Sequence, residues 1–169
     1  MSTPQARGDA LEKKVANLLR SQGKARVRTN VLLRDAHGNL SEIDVVYGRW
    51  PFKHYIECKA YRKRSVPLED VAKFKEVLTL HNVSLSRGML VTTSTFTPRC
   101  KHVGVRLMNG EQLQQWEKRI HRQLWVRRTF LGVAVSAVIA TAFTYPNETA
   151  DLLHNRWRVC QTTINSWLQ

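Results

Sequence analysis

Two short apolar stretches carry charges that a strand in a protein interior has no use for. They are Glu42-Ile43-Asp44-Val45-Val46 and Tyr55-Ile56-Glu57-Cys58-Lys59. Asp44 and Glu57 lie thirteen positions apart, and Lys59 follows two later. That spacing fits a hairpin that brings all three side chains together. Side chains alternate faces along a strand, so Glu57 and Lys59 share one face and Cys58 takes the other. Two carboxylates are hard oxygen ligands for Mg²⁺, with Mn²⁺ as a substitute, and a backbone carbonyl of Ile56 or Cys58 can add a third. A metal so held acidifies a bound water and neutralises charge on a scissile phosphate. Lys59 can position or activate that water and stabilise developing negative charge. The set is therefore equipped for phosphodiester hydrolysis. Glu12, on a preceding helix, can approach the same place and join the catalytic set. Glu42 points with Asp44 and serves as an outer ligand or as the partner of a cation.

Each of these residues also has an ordinary reading. Asp44 and Glu57 can be strand charges facing water, Glu12 a solvated helix residue, and Glu42 a bystander. Cys58 reads as a small core residue rather than a nucleophile, because no histidine stands at a suggestive spacing.

The balance of charge points to a polyanion. The chain has 169 residues and a net charge of +14, and residues 1–128 hold 25 of its 27 Lys/Arg and 11 of its 13 Asp/Glu. A positive excess confined to that part suits nucleic acid. Lys53, Arg62, Lys63 and Arg64 are the expected phosphate contacts, joined by hydroxyls and backbone N–H groups of Thr92, Thr93 and Ser94. No zinc finger, helix-turn-helix or RNA-recognition signature is present, so structure-directed or weakly sequence-specific recognition is expected. DNA is the expected polymer, with RNA left open. The three cysteines form no CxxC pair, which argues against structural zinc and for a reducing compartment.

The elements that must position these residues follow from periodicity. Leu11, Val15, Leu18 and Leu19 make a helical stripe over 8–22, ended by Gly23. Strands are expected at 27–33, 40–47 and 53–60, with turns at 35–39 and 48–51. Pro67 opens a helix over 68–81 with Val71, Phe74 and Leu78 on one face. Residues 88–93 read as a fully buried strand, 105–108 as a short strand and 110–124 as a helix. The order αβββαβ(β)α makes an α/β sandwich around a mixed sheet.

Composition then changes. Thr129–Tyr145 is seventeen residues without a charge, roughly 25 Å of helix, slightly short of a bilayer core. Its apolar residues go all round, and Arg127-Arg128 precede it. A membrane span is expected there, with the basic domain on the matrix or cytoplasmic side. The other reading is a helix packed on the domain. Beyond it, Leu153, Trp157, Cys160, Ile164 and Trp167 form one stripe of an amphipathic helix, suited to a membrane surface or a protein partner for 149–168. The expected organisation is a domain over 1–126, a span over 127–146 and a final helix over 147–169. No secretory signal is expected before Gly8, because no apolar h-region stands there.

Asp44 with Glu57-Cys58-Lys59 resembles the PD-(D/E)xK nuclease superfamily, and within it the Mrr-like restriction endonuclease domains. Four further segments carry the resemblance in order. Arg7-Gly8-Asp9-Ala10-Leu11-Glu12 is similar to the acidic first helix of that branch. Lys59-Ala60-Tyr61-Arg62-Lys63 is similar to its basic-aromatic segment. Gly88 to Thr97 resembles its later strand and Thr/Ser turn, and Arg106 to Leu113 its closing strand-turn-helix. Together they span about residues 7–120. The chain departs from many Mrr-like proteins in having Glu rather than Gln before Cys-Lys, and Glu is the better metal ligand.

The resemblance implies a restriction-endonuclease-like fold, a Mg²⁺-dependent endodeoxyribonuclease and a homodimer. A lone domain of this size with an apolar tail also resembles mitochondrial proteins of respiratory growth that carry this domain. That implies a mitochondrial membrane, with a bacterial or archaeal inner membrane as the other setting. The competing expectation is a catalytically silent protein that uses the same fold to tether DNA or a ribonucleoprotein to a membrane.

Overall fold

The computed structural model describes residues 3–62 and 64–144. The chain divides into two units, Met1–Arg122 and Gln123–Gln169. In the first, helix α1 (Pro4–Ser21) precedes strands β1 (Arg28–Arg34), β2 (Leu40–Tyr47) and β3 (His54–Lys59). Helix α2 (Leu68–Leu80), β4 (Gly88–Thr92) and β5 (Arg106–Met108) follow, and helix α3 runs from Gly110 to Thr144. The strands form one sheet in chain order. β1, β2 and β3 are antiparallel neighbours, while β3, β4 and β5 are parallel. This is the mixed α/β sandwich expected from the order of elements.

Burial patterns explain the sandwich. All five residues of β4 are buried, as a continuous apolar run requires. Val71, Phe74 and Leu78 of α2 pack with Ile43, Val66, Leu90 and Cys100 in one cluster, and Tyr55 lies against it. Ile56 and Cys58 alternate with Tyr55 and are buried as well, so β3 is covered on both faces. Leu11, Val15, Ala16, Leu18 and Leu19 are the buried stripe of α1, which packs across β1–β3. Lys14 of α1 pairs with Glu117 of α3 at 2.6 Å. Burying a Phe or Leu contributes about 2–3 kcal/mol each, so these two layers hold β3 and its charges in place.

Two boundaries differ from expectation. α1 begins at Pro4 rather than near Gly8, because Thr3 caps it: its hydroxyl accepts the Ala6 N–H at 3.2 Å, and proline is compatible with the first turn. α3 does not stop near residue 124. No proline interrupts it, and the charged stretch is rich in good helix formers. In its later part Phe130, Val133 and Val138 are exposed. α3 is long and apolar enough to cross a membrane by length and composition. The helix expected over 147–169 lies outside the described residues.

Candidate active site

Asp44, Glu57 and Lys59 come together where β2 and β3 part. The β2–β3 ladder runs Tyr47↔His54, Val46↔Tyr55, Val45↔Ile56 and then stops. At the next position the Asp44 carboxylate takes the place of a backbone partner, accepting the Cys58 N–H at 2.7 Å. One residue later the Lys59 ammonium meets Glu57 Oε1 at 2.9 Å. The ladder on the other side of β2 also loses a rung here. Thr29↔Val45 and Val31↔Ile43 are paired, but Asn30 and Asp44 between them are not. Asn30 has φ +51°, the left-handed region that Asn tolerates better than most residues. Backbone strain at this rung coincides with the acidic cluster, as strained positions at functional sites do.

The electrostatics are those of crowded, half-buried carboxylates. Burial raises Glu57 above the ordinary carboxylate value, and the nearby Asp44 charge raises it further, against the opposing pull of Lys59. Burial also raises Asp44, while the Cys58 N–H and Lys59 hold it down. Glu12 is raised by burial and then by Asp44. Burial pulls the Lys59 ammonium down, but its hydrogen bond and attraction to Glu57, with Asp44 and Asp70, outweigh this, so Lys59 holds its proton more firmly than a free lysine. Burial sends the Cys58 thiol well up, with the Asp44 and Glu12 charges adding to it. Cys58 is therefore a core thiol.

A cavity of about 340 Å³ lies beside this cluster, with Glu42, Glu57, Lys59, Asp70 and Lys73 in its lining. The donor set suits a hard divalent cation in kind: two oxygen ligands whose desolvation and repulsion a 2+ charge relieves. Among the described residues no group of three or more His, Cys, Asp or Glu could hold a metal ion on its own. A cation here would rely on Asp44, Glu57, a backbone oxygen and water, the mixed shell that Mg²⁺ favours.

The remaining expected residues divide. Glu12 lies within electrostatic reach of Asp44 and Glu57, but its hydrogen-bond partner is Asn30. Asn30 Nδ2 donates to Glu12 at 3.4 Å and to Glu42 at 3.1 Å. Asn30 is the residue that sequence reasoning missed, and its only signal was a polar side chain inside an alternating strand. Arg62 and Arg64 are exposed on the loop beyond Lys59. Arg64 stacks 4.5 Å over Tyr61, whose hydroxyl donates to Asp70 at 2.6 Å. Lys63 lies outside the described residues. Lys53 is not beside the site: it is four residues from Glu57, about 13 Å along the strand.

Thr92, Thr93 and Ser94 correct the expectation of phosphate-binding hydroxyls. Thr92 is fully buried, and its hydroxyl donates to the Lys59 carbonyl at 2.6 Å. Thr93 donates to the Tyr61 carbonyl at 2.9 Å, and Ser94 to the Arg64 carbonyl at 2.7 Å. A hydroxyl has one proton to give, so all three are spent on the chain that follows Lys59. They fasten the basic loop to β4.

Known proteins place this arrangement. A solved structure of a protein of unknown function, AF1548, is 22% identical with a TM-score of 0.54, over 66% of this chain and 67% of that one. Two others fall at a TM-score of 0.49, too low to argue from. They are protein VC1899 from Vibrio cholerae, 20% identical over 70% of this chain, and Can2 from Sulfobacillus thermosulfidooxidans in complex with cyclic tetra-adenylate, 22% identical over 68%. The aligned part is 34% and 35% of their chains, so this chain spans about a third of each. Likeness at this level of identity speaks to fold alone. No curated protein matches the sequence. A family model described as restriction endonuclease, the Mrr catalytic domain, matches residues 4–117. That match covers α1 through the first turns of α3 and contains Glu12, Asp44, Glu57 and Lys59, so the chain belongs to the restriction endonuclease family of Mrr catalytic domains.

Proposed function

We propose that the chain is a Mg²⁺-dependent endonuclease that hydrolyses DNA phosphodiester bonds and is anchored to a membrane through residues 129–145. The observation that carries the reading is the convergence of Asp44, Glu57 and Lys59 at the parting of β2 and β3. A metal bound by Asp44 and Glu57 would supply an acidified water and charge neutralisation at the phosphate. Mn²⁺ would serve in its place. Lys59 carries a firmly held proton, so its role is to orient the nucleophile and steady negative charge, rather than to act as a neutral base. Glu12 adds negative charge at the edge of the cluster. Arg62 and Arg64, on a loop pinned three times to β4, hold the substrate backbone. Homodimerisation would supply a second active site for a second strand.

The apolar part of α3 supports anchoring, because Phe130, Val133, Val138 and Ile139 are exposed and a bilayer would cover them. Arg127 and Arg128 before the span favour the matrix or cytoplasmic face for the nuclease unit. A mitochondrial inner membrane is the proposed setting.

The test is cleavage of plasmid and branched DNA by the full-length chain in detergent, with Mg²⁺, with EDTA, and beside Glu57→Ala. Metal-dependent cleavage that Glu57→Ala loses is the expected result. Cleavage by Glu57→Ala at the wild-type rate overturns the assignment. A second reading, DNA tethering without cleavage, is favoured by one observation: Lys59 already occupies Glu57 in an ion pair. Its signature is salt-sensitive binding, equal in both proteins, with no nicking.

A further inference from the structure

The turn between β2 and β3 is fastened, yet it leaves its largest side chains in water. Gly48 has φ +97°, and a Cβ there would come within 2.6 Å of the Phe52 carbonyl oxygen. Its N–H donates to the Ala25 carbonyl at 2.8 Å. The Arg87 guanidinium donates to the Pro51 carbonyl and lies 5.8 Å over the Phe52 ring. At the base, Tyr47 and His54 stack with centroids 4.8 Å apart and planes 12° from parallel. Held this way, Trp50 is 81% exposed and Phe52 70% exposed. Folding gains nothing from that exposure, and a fastened turn that presents two largely exposed aromatic rings marks an interaction surface.

The surroundings select the ligand. Arg49 and Lys53 flank the rings in sequence, and Arg87 touches one of them. Lys24, Arg87 and Arg106 all act on His54, which burial and then these three positive charges push below the ordinary histidine value. Among the described residues no acidic side chain is one of the groups that act on it. Cations around exposed aromatic rings fit phosphates around exposed base faces. Duplex DNA hides those faces, and unpaired strand offers them.

We propose that Trp50 and Phe52 form a stacking platform for unpaired nucleotides, with Arg49, Lys53 and Arg87 on the adjoining phosphates. The nuclease reading underlies its purpose: about 13 Å of β3 separates Lys53 from Glu57, so a strand stacked on the turn runs within a few nucleotides of the carboxylates. The platform directs the enzyme to single-stranded or branched regions without reading bases. An anionic membrane surface is the competing ligand for such a turn, and the test separates the two.

The experiment is fluorescence anisotropy of labelled oligo(dT) and of a blunt duplex. It uses the full-length chain in detergent with EDTA, as wild type, Trp50→Ala/Phe52→Ala and Trp50→Phe. The double variant should lose roughly tenfold or more in affinity for oligo(dT), with little change for duplex and an unchanged melting temperature. Trp50→Phe should bind oligo(dT) close to wild type. Equal oligo(dT) binding by wild type and the double variant overturns the proposal. So does an equal loss on duplex and single strand. In parallel, both proteins are inserted through the span into vesicles of phosphatidylcholine with and without phosphatidylglycerol. A fluorescence blue shift that requires phosphatidylglycerol and is absent from the double variant, without any loss of its oligo(dT) binding, makes the turn a lipid contact and overturns it too. If Glu57→Ala still cleaves, the nuclease reading fails while the binding comparison stands on its own.

Discussion

Asp44 is the residue on which the site turns. It is half-buried, it accepts one backbone N–H, and it sits among Glu57, Glu12 and Glu42. Its folded pKa is raised above the ordinary value, chiefly by burial. A carboxyl raised on folding favours the folded state while protonated, and that contribution is lost as pH rises from the ordinary value through the folded one. Asp44→Asn keeps the acceptor for Cys58 and removes the charge. It should raise Tm by roughly 3 °C near pH 7. The gain should shrink towards zero below about pH 4, where the carboxyl in the unfolded chain also becomes protonated. Thermal melts across pH check this, and a gain that grows as pH falls contradicts it. Mg²⁺ should raise the Tm of the wild type and leave that of Asp44→Asn unmoved, read by the same melts. Lys59→Ala should lower the cleavage rate roughly 10²–10³-fold with substrate affinity little changed, which single-turnover kinetics measures. Asp44, Glu57 and Lys59 were legible in the sequence because charge inside an apolar strand is costly and therefore conspicuous. Asn30 was not, since its importance lies in a positive φ and a missing rung that no side-chain pattern encodes. The role of Thr92 is not legible either, because a threonine at the end of a buried strand looks the same in sequence whether its hydroxyl faces solvent or a neighbouring carbonyl.

Among the elements, β4 does more than fill the sheet. Its C-terminal end delivers Thr92, Thr93 and Ser94 to the carbonyls of Lys59, Tyr61 and Arg64. Ser65 and Thr95 add a hydroxyl pair at 2.8 Å. Thr92→Val, equal in shape, leaves the Lys59 carbonyl without this donor and should cost about 1–2 kcal/mol; denaturant unfolding measures it. The start of α3 is tied to the same place. Gly110 N–H donates to the Ser94 carbonyl at 2.8 Å, and a Cβ on Gly110 would press to 2.7 Å from the Thr93 carbonyl carbon. Gly110→Ala should cost about 2–3 kcal/mol, against the near-neutral effect of an exposed helix substitution. Unfolding of Gly110→Ala beside Gly132→Ala, where a Cβ meets nothing, is the comparison. The strands were legible to within a residue or two because period-two alternation and turn residues bracket them. The expectation of a mixed sheet left open which strands pair in parallel, and the structure shows that β3 and β4 do. The start of α1 was missed because its cap precedes the apolar stripe. The end of α3 was missed because a switch from charged to apolar residues was read as a boundary, and helical hydrogen bonding is indifferent to that switch.

The whole molecule is set apart by its charge and by one helix with an apolar half. The +14 net charge predicts DNA binding that weakens steeply with salt. Trp50→Ala/Phe52→Ala should leave the slope of log affinity against log salt unchanged while lowering affinity for single strand, because aromatic stacking releases no counterions. The run without charge was legible in the sequence and forms the later part of α3, whereas the bilayer proposed to cover it is not specified by the chain. The most direct test of the central claim is single-turnover cleavage of branched DNA by full-length wild type and Asp44→Asn, with binding measured on the same samples. The account predicts that both bind alike, that wild type cuts with Mg²⁺ and not with EDTA, and that the more stable Asp44→Asn does not cut. Equal cutting by both proteins would contradict it.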